Sequence, residues 1–225
     1  MGEAIAGSVP LAVGVALSPV PMIAAIVMLL ARRSTETGVG FLVGWMAGIA
    51  AATILFVVLE ARFGGGGGSD SSMVGSWMLV CLGALLFLLG AGQWLRRSRT
   101  VGGATLPRWL TAVDALSWGK AAGLGVALPA VNPKILLVCA AAGSAIGGAS
   151  VNTADRMVAV GLFTVVGACT VAVPVASYLL AGDRVRAPLG SLRAWLEVKG
   201  APVVAVLLLG IGVLLFAQGF ARLEA

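Results

Sequence analysis

The sequence contains no histidine. That removes the side chain most used as a general base near neutral pH, and the commonest zinc ligand. Charge is scarce as well: 11% of the 225 residues are Asp, Glu, Lys or Arg, against about 25% in an average soluble domain. None of the 9 acidic residues falls in the core of an apolar run. General acid–base chemistry therefore has few candidates, and Asp114, near the membrane surface, has nothing paired with it in sequence. No glycine loop ending in Gly-Lys-Ser/Thr occurs, so the chain itself is not expected to hydrolyse ATP. The 3 cysteines, Cys81, Cys139 and Cys169, are far apart and each inside an apolar run. They read as small core hydrophobes rather than a disulfide or metal set. No enzyme, no cofactor and no metal site is expected.

Apolar residues are abundant: 60% of the chain is hydrophobic and the mean hydropathy is +1.05. A chain of this size cannot hide so much apolar surface in its own core, so lipid must serve as solvent. The expected fold is an all-α integral membrane protein. A bilayer core needs about 20 apolar residues per helix, and six candidate spans fit: about 8–31, 38–59, 73–95, 120–147, 157–181 and 201–221. The first run, Val9 to Ala31, is too long for a signal peptide and no positive charge precedes it, so a retained span is expected.

The formal charge of +6 and pI near 10.0 would suggest nucleic acid in a soluble protein. Here the basic residues lie between spans and report orientation instead. The 1–2, 3–4 and 5–6 loops hold Arg32, Arg33, Arg96, Arg97, Arg99, Arg108, Lys120, Arg184, Arg186, Arg193 and Lys199. The opposite side holds only Arg62, Arg156 and Arg222. The positive-inside rule places the three basic loops in the cytoplasm of a plasma membrane and both termini outside. Gly64 to Gly68 and the serines after it read as a flexible linker. Leu106 to Trp118 has apolar residues at helical spacing, as expected of a short helix at the interface or against the spans. Arg96 to Arg99 nearby could attract anionic headgroups, although orientation already accounts for them. Trp77 and Trp94 suit interface anchors.

The two halves resemble each other. Gly14-Val15-Ala16-Leu17 in span 1 matches Gly125-Val126-Ala127-Leu128 in span 4, and one inserted residue, Asn132, then aligns Pro21 with Pro133. Spans 3 and 6 end alike at Gln93 and Gln218, and spans 2 and 5 match weakly, mainly at Gly48 with Gly167. Residues 1–95 and 119–225 would be three-helix repeats joined by 96–118 within one membrane domain. Because three is odd, the second repeat enters the membrane inverted, an arrangement that recurs in secondary transporters.

Spans 1 and 4 are expected to break at their prolines. Pro19 and Pro21 would free the carbonyls of Val15 and Leu17, and Pro129 and Pro133 those of Gly125 and Pro129. Ser18-Pro19 and Asn132-Pro133 both read as an N-cap followed by proline at the first helical position. Ser18 lies about 21 Å of helix from Arg32, and Asn132 about 18 Å from Lys120, at 1.5 Å per residue. Both breaks therefore fall near mid-membrane. The half-helix N-termini would attract an anion or carbonyl oxygen, and Lys134 stands in one of them. Lysine at that depth costs about 2.5–3.5 kcal/mol, and no span carboxylate neutralises it. Ser18, Pro19, Pro21, Asn132, Pro133 and Lys134 form the candidate substrate site. The bland readings are prolines that merely kink helices and a Lys134 that snorkels or clamps freed carbonyls near Pro129. Pairs such as Gly44 with Gly48 and Gly143 with Gly147 read as close-packing positions.

An Asn132-Pro133-Lys134 opening of span 4, a proline pair in span 1 and six spans in this length resemble the lysine-exporter superfamily of small translocators. Ala16-Leu17-Ser18-Pro19-Val20-Pro21-Met22 with Asn132-Pro133-Lys134 looks most like its glycolipid-addressing branch, the Gap or Sap proteins of actinobacteria with mycolic-acid envelopes. The amino-acid-exporting branch has Pro-Gly-Pro where this chain has Pro19-Val20-Pro21. With no span carboxylate, a cationic amino acid is a poor substrate. The resemblance implies delivery of an envelope glycolipid across the plasma membrane, beside a larger lipid transporter. The residues alone support a translocator for an anionic or carbonyl-bearing substrate, with membrane lipids as surroundings and a homodimer allowed. The alternatives are an exporter of an amino acid or small carboxylate, and a non-transporting accessory subunit of a lipid export complex.

Overall fold

The computed structural model describes residues 2–31, 34–64, 69–96 and 116–223, and every element among them is helical. In chain order they are α1 (Gly2–Ala16), α2 (Pro19–Leu30), α3 (Ser34–Leu59), α4 (Ser69–Arg96), α5 (Trp118–Val131), α6 (Pro133–Gly147), α7 (Thr153–Ala181) and α8 (Arg186–Leu223). A π turn, Glu60–Gly64, extends α3, and a 3-10 turn, Gly182–Val185, joins α7 to α8. Gly182 has φ +58° there, a conformation that glycine adopts without a Cβ penalty. The glycine-rich linker beyond Gly64, the expected interfacial helix up to Ala115 and the basic cluster Arg97 to Arg99 lie outside the described residues.

Two helical runs, Ser34–Arg62 and Thr153–Leu196, are long and apolar enough to cross a bilayer. Two bent pairs raise that to as many as four: Gly7–Ala16 with Pro19–Leu30, bent by 49°, and Trp118–Val131 with Pro133–Gly147, bent by 75°. In α4 and α8 the described apolar stretches are shorter, Gly83–Gly92 and Leu208–Ala217.

The expected breaks in spans 1 and 4 are present. Ser18 and Asn132 are extended, with ψ of 115° and 104°, because a following proline excludes the helical region for the residue before it. Pro19 and Pro133 then open α2 and α6, where a missing N–H costs nothing. One detail differs from the sequence alignment. Pro133 is the structural partner of Pro19, not of Pro21, since both are the first helical residue after the break. Pro129 sits inside α5 without ending it, so α5 runs one turn further past the shared Gly-Val-Ala-Leu than α1 does.

Glycines set the packing. A methyl group at Gly44 would collide with the Ala122 backbone, and one at Gly48 would lie 2.9 Å from the Val126 carbonyl oxygen. The stripe Gly40, Gly44 and Gly48 therefore lets α3 touch the backbone of α5 at Trp118, Ala122 and Val126 in turn. The two helices run parallel, because the contacting numbers rise together. Gly143 and Gly147 hold α6 against α3 in the same way, at Thr53, Phe56, Val57 and Glu60. By contrast α3 and α7 run antiparallel, with Gly38 near Val175 and Ile49 near Gly167. So do α4 and α8, with Gly83 at Phe216 and Gly90 at Leu208. The close-packing expectation for these glycines holds, with the physical reason that small residues admit backbone contact where apolar surface alone gives helices no preference over lipid.

Exchanging the first four helices with the last four maps many packed pairs onto one another. α3 with α5 becomes α7 with α1, α2 with α3 becomes α6 with α7, and α2 with α8 becomes α6 with α4; all of these pairs pack. The correspondence reaches single residues: Gly48 meets Val126 of α5, while Gly167 meets Val15 of α1. Val15 and Val126 are the matched residues of the repeated Gly-Val-Ala-Leu. α1 against α6 is the largest contact without a counterpart among these packed pairs.

Candidate functional site

The two breaks meet. Lys134, in the first turn of α6, donates from Nζ to the Oγ of Ser18 at 3.0 Å. The residues are 116 positions apart, and both are buried, Ser18 at 3% and Lys134 at 9% exposure. This is the contact that the sequence could place only by symmetry. The carbonyl clamp near Pro129 is not what forms, since the partner of Lys134 is a side chain of the other break. An ammonium has three protons to donate, and one is accounted for by Ser18. Among the described residues no carboxylate pairs with it; the Arg186–Asp183 ion pair lies elsewhere, at the α7–α8 turn. A buried charge with one neutral acceptor is costly, because burial removes the water that would complete its shell.

Two carbonyls at the first break find partners. Ser18 N–H donates to the Val15 carbonyl at 3.1 Å, which corrects the expectation that Pro19 leaves that group free. Thr170 of α7 donates from Oγ1 to the Ala16 carbonyl at 2.6 Å, sealing the last carbonyl of α1. Thr170 was not singled out from the sequence; the signal for it was a hydroxyl in the middle of span 5, easily passed over among valines and alanines.

As donors, the two half-helix ends are unequal. Pro19 and Pro21 remove two of the backbone N–H groups from the first turn of α2, which leaves Val20 as the open donor beside Ser18. At α6 only Pro133 lacks one. Leu136 N–H closes the first helical bond to the Asn132 carbonyl at 3.0 Å, and the amides of Lys134 and Ile135 stand free of it. The anion-attracting end is therefore that of α6, where the lysine also sits. Neither Ser18 nor Asn132 uses its side chain as a cap. Ser18 accepts from Lys134 instead, and the half-buried Asn132 keeps its amide for other partners. Pro21 is buried on α2, while Pro133 is exposed beside Val131 at 78%.

A second polar cluster closes the Ser34 end. Ser34 donates to the Tyr178 hydroxyl at 2.8 Å, Tyr178 donates to Asp183 at 3.1 Å, and Arg186 donates to Tyr178 at 3.3 Å. Together they tie the start of α3 to the α7–α8 turn. The Tyr178 hydroxyl first, and the Asp183 carboxylate after it, hold the Arg186 guanidinium above its usual range. Of the cysteines, Cys139 is buried as expected, whereas Cys81 and Cys169 are exposed on the outer faces of α4 and α7. No cluster of metal-ligating side chains occurs among the described residues.

These features define a class: a helical membrane protein in which two proline-broken helices meet at a buried lysine. The chain belongs to the family described as Sap, sulfolipid-1-addressing protein, whose model matches residues 9–221. No curated protein and no solved structure matches it.

Proposed function

We propose that the chain is a plasma-membrane translocator that delivers an anionic envelope glycolipid, binding its charged head between the two broken helices. The observation that carries this reading is the Lys134–Ser18 contact. It fastens a buried cation without a carboxylate, at the donor-rich end of α6, to the other break, and such a place favours an anion. The family's name specifies a sulfolipid, and a sulfo group is an anion of the kind that would complete the lysine's shell. Asn132 stands beside it with an uncommitted amide. The chain would act without chemistry of its own, and the energy for export would come from a partner such as a larger lipid transporter.

Six passages in two inverted repeats are part of this proposal. The parallel run of α3 and α5 supports it, because α4 must then return across the bilayer between them. The exchange of packed pairs between the halves supports it as well. On this reading the Ser34–Tyr178–Asp183 end faces the cytoplasm, and both termini lie outside. The wider likeness to the lysine-exporter superfamily belongs to the same proposal.

Replacing Lys134 by Met keeps the apolar bulk and removes the charge. Surface glycolipid and amino-acid efflux are measured together in cells with equal membrane levels of each variant. Loss of glycolipid delivery, partly restored by Lys134→Arg, is the expected result. Loss of amino-acid efflux alone would name the small-carboxylate exporter instead. Unchanged delivery would remove the anion site and favour an accessory subunit.

A further inference from the structure

α2 packs against both α7 and α8, yet α7 and α8 make no extended contact with each other beyond the turn that joins them. The result is a slot between them, about 350 Å³ in volume. Its lining is almost wholly apolar: Met22 from α2, Val173 and Pro174 from α7, and Val185, Leu189 and Leu192 from α8 and the turn before it. The slot spans Cys169 to Ser177 of α7, about 12 Å at 1.5 Å per residue. One end is the Ser34–Tyr178–Arg186 cluster. The other is the first break, for Thr170 both lines the slot and donates to the Ala16 carbonyl. The slot thus runs from the turn after α7 to the first break, where Ser18 accepts from Lys134.

We infer that this slot holds one acyl chain of an anionic lipid, whose head group passes between the arginines at the α7–α8 turn and the Ser18–Lys134 site. This deepens the function proposed above and rests on it. Two observations select the occupant. The lining offers a guest little to hydrogen-bond beyond the hydroxyls of Thr170 and Ser177 and the Cys169 thiol, so the guest is a hydrocarbon chain. The turn at its mouth presents the exposed Arg184 beside the Arg186–Asp183 pair, a net positive charge, and cations at the membrane surface draw anionic heads. A small carboxylate would need a closed polar cavity, whereas this slot opens between two helices toward the surroundings. The exposed Cys169 within it marks the site for chemistry.

The test uses the full chain in bilayer nanodiscs. The probe is phosphatidylglycerol carrying a diazirine midway along one acyl chain, with the matching phosphatidylcholine as the neutral control. After photolysis, adducts are mapped by mass spectrometry. Expected are adducts on Cys169–Ser177 and Val185–Leu192 above those on the exposed Leu85, Phe87, Leu88 and Leu89, and stronger from the anionic probe. Val173, 63% exposed, has room for a larger side chain, so Val173→Trp should fill the slot and abolish those adducts. Val165→Trp, also on an exposed position of α7, should leave them. Thiol alkylation of Cys169 in a Cys81→Ser background gives a second readout and should slow when anionic lipid is present. Labelling spread evenly over the exposed faces, or indifferent to Val173→Trp, overturns the slot as a lipid site. Equal labelling by both probes overturns its anionic preference. If the slot fails while Lys134→Met still abolishes delivery, the proposed function stands and only the acyl site falls. If slot adducts form but delivery ignores Lys134→Met, the acyl site stands and the head-group site of the proposed function falls.

Discussion

Lys134 and Ser18 share one hydrogen bond of 3.0 Å, and through it the start of α6 is fastened to the start of α2. Neither residue has another use for the group involved. The serine does not cap its own helix, and the lysine has no carboxylate among the described residues.

That bond predicts an asymmetry between the two single substitutions. Ser18→Ala leaves a buried ammonium without its acceptor and should destabilise the protein by about 1–3 kcal/mol. Lys134→Met leaves only a small hydroxyl unpaired and should cost less. In the Lys134→Met background, Ser18→Ala should then cost little. A double-mutant cycle on thermal unfolding in detergent checks this, and additive costs would show that the two groups are not coupled.

Thr170→Val should also destabilise, by about 1 kcal/mol, because the Ala16 carbonyl loses its partner while the side-chain volume is kept. The same variant should lower glycolipid delivery more than its stability loss accounts for, since the first break loses its brace. Delivery tracked against membrane level over a temperature series separates the two effects. Delivery that falls only as the protein level falls assigns Thr170 to stability alone.

The glycine stripe gives a prediction with opposite signs at neighbouring sites. Gly44→Ala places a methyl group into the Ala122 backbone, and overpacking of this kind costs about 1–3 kcal/mol or more. Gly123→Ala meets nothing within 4 Å and should be neutral or stabilising by as much as about 1 kcal/mol, because alanine loses less backbone freedom in a helix. Melting temperatures of the two variants decide it, and similar shifts would mean that α3 and α5 do not touch as described.

Tyr178→Phe removes the hydroxyl that accepts from Ser34 and Arg186 and donates to Asp183. Loss of about 1 kcal/mol is expected from the buried Ser34 bond, with little from the exposed Arg186–Asp183 pair. Hydrogen exchange at the amides of α3's first turn should rise. Unchanged protection there would show that the cluster does not hold the two helices together.

Orientation can be read with impermeant thiol reagents on intact cells. A cysteine at Ser150, between α6 and α7, should be labelled, and one at Asp183, in the α7–α8 turn, should not. The reverse pattern would place the basic loops outside and turn the proposed topology over.

Much of this was legible in the residues. The apolar excess called for a lipid-solvated helical protein, and Ser18-Pro19 and Asn132-Pro133 marked the breaks. They did so because proline acts locally: it removes a donor and excludes helix from the residue before it. Lys134 stood out for an equally local reason, as a cation with no carboxylate in any span. The glycine pairs announced close packing, though not against which helix.

What only the tertiary structure decided is which distant groups meet. That Lys134 reaches Ser18 rather than the carbonyls near Pro129, that Thr170 seals Ala16, and that Pro133 takes the place of Pro19 rather than of Pro21 are relations across more than a hundred residues or across a bend. No pattern along the chain encodes them, because they depend on the angles of 49° and 75° at the two breaks and on backbones brought together by glycine. The slot between α7 and α8 has the same origin, since it exists where two helices joined by a turn diverge over a third.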